Sequence, residues 1–123
     1  MYIAAVIDRE GVIVPIVEGV KLRIYNTETG SFEEYENPAL GLTEGRRGAT
    51  LRFAIGKGAV AFASPPQTFC ELSYEKAVEE NIRFFHLEPG VSFDLFKEQL
   101  AGRLVKPEEN LPVDDIAPSF VQK

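Results

Sequence analysis

Side chains able to do metal or redox chemistry are scarce. The 123-residue chain has one Cys, Cys70, and one His, His86. Cys70 follows the Ser64-Pro65-Pro66 loop and stands at the start of a predicted helix. A helix N-terminus favours thiolate, and thiolate is a soft ligand for iron–sulfur-type groups. The plain alternative is a small core residue, because free Cys packs well inside proteins. His86 closes a predicted strand, and open α/β sheets bind ligands at strand ends. Its neutral imidazole can ligate a metal. The alternative is a strand-end His satisfied by a backbone partner. If both residues face the C-terminal edge of the sheet, Cys70 and His86 form one metal site. They do not complete a four-ligand zinc or cluster cage within one chain. A bound cluster would therefore have few protein ligands or lie across a homodimer.

Arg46 and Arg47 stand between Gly45 and Gly48, at the approach to another predicted helix. Two cations at a helix N-terminus suit an anionic metallocluster or a carboxylate ligand. The alternative is an exposed basic pair on an acidic surface. Asp8 ends the first predicted strand. Two-metal nucleases gather several carboxylates around the metal pair, but the next parallel strand ends in Ser64. Asp8 reads instead as a turn residue above Arg9-Glu10-Gly11. There is no nucleophile elbow, P-loop or dinucleotide fingerprint. No enzyme constellation is visible, and a non-enzymatic protein is expected.

These residues need elements to position them. Residues 2–7 form an apolar run, the pattern of a strand buried on both faces. Residues 12–17 are β-branched but interrupted by Pro15, which marks an edge or irregular segment. Residues 21–26 alternate in polarity. With the Thr27-Glu28-Thr29-Gly30 turn and residues 31–36 they read as a β-hairpin. Leu51, Ala54 and Ile55 mark one helix face, stopped by Gly56 and Gly58. Residues 59–63 are a short strand, 68–81 a helix by composition, and 83–87 a strand. Ser92 caps a helix whose face is Phe93, Phe96, Leu100 and Leu104. The β, β, β, α, β, α, β, α order predicts an α/β fold. Its centre is a mixed sheet of about five strands, with right-handed crossovers in the second half. Residues 105–123 hold three prolines, four acids and scattered apolars, and read as a flexible acidic C-terminal tail.

Composition bounds the partners. Thirteen basic residues against nineteen acidic ones give a net charge of -6. That excludes a general nucleic-acid backbone binder. No apolar run reaches the roughly 18 residues of a membrane span. No basic leader with a cleavage pattern opens the chain, and a single Cys fits a reducing compartment. A cytoplasmic protein without membrane or nucleic-acid partners is expected.

Short segments in a particular order carry a family resemblance. They are the first strand with Asp8-Arg9-Glu10-Gly11, then Pro15, then Ile24-Tyr25-Asn26-Thr27-Glu28-Thr29-Gly30. Glu36-Asn37-Pro38-Ala39, the Gly-rich approach to the first helix, and Lys57-Gly58-Ala59-Val60 follow. In these the chain resembles the dinitrogenase iron-molybdenum cofactor biosynthesis family, the NifX/NifY-like proteins and the C-terminal domain of NifB. The resemblance covers residues 1–104 as a single domain. It implies a ribonuclease H-like three-layer fold, a mixed five-stranded sheet flanked by helices. It also implies an accessory protein that binds or carries an iron-molybdenum cofactor or iron–sulfur precursor. Cys70 and His86 would then be metal ligands, Arg46 and Arg47 electrostatic support, and cofactor-assembly proteins the partners. Two departures support a second reading. Members often carry a Ser-x-His-Phe-Gly-like segment where this chain has Val17-Glu18-Gly19-Val20-Lys21. They tend to have a Gly-rich loop where it has Ser64-Pro65-Pro66-Gln67. The second reading is a metal-free module with no cofactor, acting through protein contacts as a regulatory subunit.

Overall fold

Five of the six residues of strand β1 (Tyr2–Ile7) are buried, as its unbroken apolar run requires. The structure, a computed structural model, describes residues 1–119. β1 is the centre of the sheet. It pairs antiparallel with β2 (Lys21–Asn26), which pairs antiparallel with β3 (Phe32–Glu36). After helix α1 (Arg46–Gly56), strand β4 (Ala61–Ser64) returns parallel to β1. After helix α2 (Glu71–Glu79), strand β5 (Arg83–His86) lies parallel to β4, and helix α3 (Phe93–Ala101) follows. The strand order is β3-β2-β1-β4-β5. The α/β class and the mixed five-stranded sheet are therefore observed, with three α-helices among the described residues.

Alternation along the strands divides the core. Ala4, Val6, Phe62 and Phe84 face Leu51 and Ala54 of α1, Ala77 of α2, and Phe69 before it. Ile3, Ala5, Ala61 and Phe85 face Phe93 and Phe96 of α3. The sheet is thus covered on both faces, and the parallel strands β4 and β5 are apolar at their centres, with Ser64, Arg83 and His86 only at their ends.

Residues 12–17 form no regular strand. Ile7–Ile13 and Val12–Ser92 are isolated bridges, and Ile16–Glu18 is a 3-10 turn. Asp8 is the turn residue expected: its Oδ1 accepts from the N–H groups of Glu10 (2.8 Å) and Val12 (3.0 Å). Two helices are shorter than their patterns. Residues 68 and 69 form a bend and Cys70 is extended before α2 begins, with Phe69 drawn fully into the core. α3 ends at Ala101; Arg103 then takes a left-handed φ of 58°, which turns Leu104 out to 78% exposure.

The expected loose tail is corrected as far as Ser119. Glu108 exchanges both backbone hydrogen bonds with Phe84, each 2.8 Å, along the outer edge of β5. Leu111 and Ala117 are buried, and Ile116 packs on the core. Prolines prevent a helix here, yet widely spaced apolar side chains still anchor an extended segment. Residues 120–123 lie outside the described part. Among the described residues no helix is long and apolar enough to cross a membrane.

Candidate functional site

The N-termini of α1 and α2 open side by side into a groove of about 700 Å³. α1 contributes Arg46, Arg47 and Arg52; α2 contributes Leu72, Ser73 and Lys76, with Cys70 immediately before it. Val17, Pro118 and Ser119 close its sides, and Glu44 is its one carboxylate among the described residues.

The start of α1 is electrically unusual. Helices favour acids in the first turn, because free N–H groups leave a partial positive charge there. α1 has no acid in its first turn and begins with two arginines. Its N-cap is Gly45, in left-handed conformation (φ 65°), so no side chain caps the free amides. Arg46 Nη2 donates to Val17 O (3.1 Å), while its buried Nε has no partner among the described residues. Arg47 donates through Nε to Thr68 O and through Nη2 to Gln67 O, both 3.2 Å. It thereby holds the loop that leads to Cys70. None of the three arginines pairs with a carboxylate among the described residues.

Cys70 is the N-cap of α2, and it forms a capping box with Ser73. Its N–H donates to Ser73 Oγ (2.9 Å), and its Sγ lies 3.2 Å from the same hydroxyl. Burial alone would raise the thiol pKa. Hydrogen bonds from Ser119 and Ser73, with the charge of Arg47, outweigh that and hold it below its ordinary value. The thiol is thus biased toward thiolate within a cationic groove.

His86 does not line this groove. It does end its strand, but its Nε2 lies 2.7 Å from Asp115 Oδ2 in the C-terminal segment. The structure brings together Cys70, Arg46 and Arg47, and gives His86 a carboxylate partner elsewhere. The shared Cys70–His86 site is not assembled. Among the described residues no group of three or more His, Cys, Asp and Glu could hold a metal ion.

Arg52, Lys76 and Ser119 were not singled out by sequence. Arg52 was legible as one helical turn beyond Arg47–Gly48; a side chain at Gly48 would meet its Nη1 at 3.1 Å. Ser119 carried no signal, since only the return of the chain across α2 brings it to the thiol.

Asn37, between β3 and α1, is 1% exposed. Its Nδ2 donates to Ile16 O (2.8 Å) and Gly19 O (2.9 Å). Its Oδ1 accepts from Ala39 N–H (3.1 Å) and Thr50 Oγ1 (2.7 Å). One side chain thus ties the 3-10 turn to α1 and fixes the Val17 carbonyl that Arg46 grips.

No family model matches the chain, and no curated protein matches it in sequence. Solved structures share its fold. The apo form of the orange protein from Desulfovibrio gigas superposes with a TM-score of 0.72 at 13% identity. That match covers 86% of this chain and 91% of the other. A putative NifB protein from Thermotoga, assigned to the DUF35 family, superposes with a TM-score of 0.62 at 14% identity. It covers 90% of this chain and 96% of the other. Identities this low establish a common fold alone.

Proposed function

We propose that this protein is a small non-enzymatic carrier of an anionic metallocofactor of the iron-molybdenum or iron–sulfur type. The observation that carries the reading is the groove. Three arginines without carboxylate partners among the described residues, two helix N-termini and a thiol biased to thiolate converge there. An acidic chain that concentrates cations at one mouth departs from local electrostatic preference, and such departures mark functional sites. The fold neighbours add weaker support. One is named for its apo form, a protein without its bound group, and the other is a putative NifB protein. The ribonuclease H-like description of the sheet belongs to the same reading.

The donor set suits a guest held mainly by charge. One thiol makes no cage, because protein-bound clusters ordinarily use about four ligands. Arg46 and Arg52 would neutralise the negative guest, with Arg47 fixing the loop and lowering the thiol pKa. Guanidinium is weakly hydrated and matches a large, soft anion better than a compact ammonium does. Cys70 would be the soft ligand. Such a holder releases its cargo readily to assembly proteins or a second copy of the chain.

Anaerobic incubation with tetrathiomolybdate, and separately with Fe²⁺ and sulfide, followed by gel filtration tests the reading. Wild type should retain a coloured species. Cys70→Ala and the Arg46→Ala/Arg52→Ala pair should lose most of it. Absence of retained metal on wild type would remove the carrier reading.

The second reading, a metal-free interaction module, has one observation of its own. Leu72, 67% exposed, forms part of the groove wall. The hairpin edge does not add to it. β3 carries Glu33, Glu34 and Glu36, and Phe32 is occupied by Phe93 at a centroid distance of 5.3 Å. Charged edge strands discourage pairing.

A further inference from the structure

We propose that residues 117–119 form an autoinhibitory strap across the Cys70 end of the groove, with Ser119 as its latch. The strap occupies the groups that a guest would use. The first free amides of α2 are both taken: Glu71 N–H donates to Ala117 O (3.0 Å), and Leu72 N–H to Ser119 Oγ (2.9 Å). Ser119 lines the groove beside Cys70 and helps to hold the thiol pKa down. A serine hydroxyl thus fills the position of an anion at a helix N-terminus. Ala117 N–H donates to Phe69 O (2.9 Å), so Ala117 pairs alongside Cys70 as a one-residue parallel bridge.

The strap is built to detach. Behind it, Gln67 N–H donates to Asp115 O (2.8 Å), and Asp115 lies against His86. These contacts anchor residues 113–115 below the groove. Beyond Ala117 the attachment is polar: the Leu72–Ser119 bond, the thiol, and a 3.4 Å contact from Ser119 N–H to Glu71 Oε1. Pro118 adds no donor. Polar contacts at a rim exchange with water or a guest anion at small net change, whereas the buried Ala117 does not. Release therefore hinges near Ala117, exposes the thiol and frees the Leu72 amide in one movement.

The test is alkylation of Cys70 by iodoacetamide, a neutral reagent, across a pH series on full-length protein. Wild type, Ser119→Ala and Ser119→Thr are compared, with circular dichroism confirming equal folding. Ser119→Ala should raise the plateau rate about fivefold, the factor of one net hydrogen bond. It should also move the midpoint of the profile upward, because a bond favouring thiolate is lost. Ser119→Thr keeps the hydroxyl and should follow wild type. Superimposable Ser119→Ala and wild-type profiles would overturn the strap. A second arm measures tetrathiomolybdate affinity, which the strap predicts to be higher in Ser119→Ala. The autoinhibitory part rests on the groove taking an anionic guest. If wild type binds none, the carrier reading fails and that part with it, while alkylation alone decides the latch.

Discussion

Asn37 shows how one buried side chain governs the groove without touching it. It bonds the carbonyls of Ile16 and Gly19, the Ala39 amide and the Thr50 hydroxyl. Removing it strands several buried polar groups, and each lost partner costs far more than a hydrogen bond normally contributes. Asn37→Ala should lower unfolding stability by about 3 kcal/mol in urea titration, and Thr50→Val by about 1 kcal/mol. A loss within about 0.5 kcal/mol for Asn37→Ala, the range of ordinary surface changes, would contradict this role. At this scale the sequence was partly readable. Cys70 and Arg46/Arg47 were visible as chemistry at two helix starts. Their convergence was not, because the two starts are separated by a helix and a strand. His86 was visible too, but its Asp115 partner comes from a segment whose composition reads as a tail.

Elements were legible wherever burial imposes a period. β1 and the hairpin follow their hydrophobic patterns closely, and α3 does so as far as Ala101. The crossovers follow from strand–helix alternation. Boundaries departed where a single residue was claimed by the core, as Phe69 was, or by a left-handed turn, as Arg103 was. The irregular segment after β1 illustrates tertiary control. Gly19 sits where a Cβ would fall 2.2 Å from Val6 Cγ1 and 2.9 Å from Ile7 O. Its φ of -100° suits any residue, so close approach rather than backbone conformation demands glycine. Gly19→Ala should therefore destabilise by about 1–3 kcal/mol, the range for overpacking a core. It should also loosen the Val17 carbonyl that receives Arg46. Thermal unfolding of Gly19→Ala measures the first effect, and an unchanged midpoint would show that the loop moves aside.

On the scale of the whole molecule, the C-terminal segment closes the fold. It covers the open edge of β5 through Phe84–Glu108, buries Leu111 and Ala117, and latches across Cys70. A chain ending at Leu104 would retain every strand and α-helix yet expose a sheet edge and part of the aromatic core. We expect that truncation to unfold well below the full chain's midpoint or to aggregate, as followed by circular dichroism and light scattering. A truncated chain as stable as the full one would restore the view of residues 105–123 as a dispensable tail. The sequence by itself determined the α/β class, the mixed sheet and the scarcity of metal ligands. Periodicity and composition are local properties, and they survive without knowledge of contacts. Only the tertiary structure decided that Cys70 belongs with three arginines rather than with His86, and that a weakly patterned segment lies across them. Those outcomes depend on pairings between residues far apart in the chain, which no local pattern encodes.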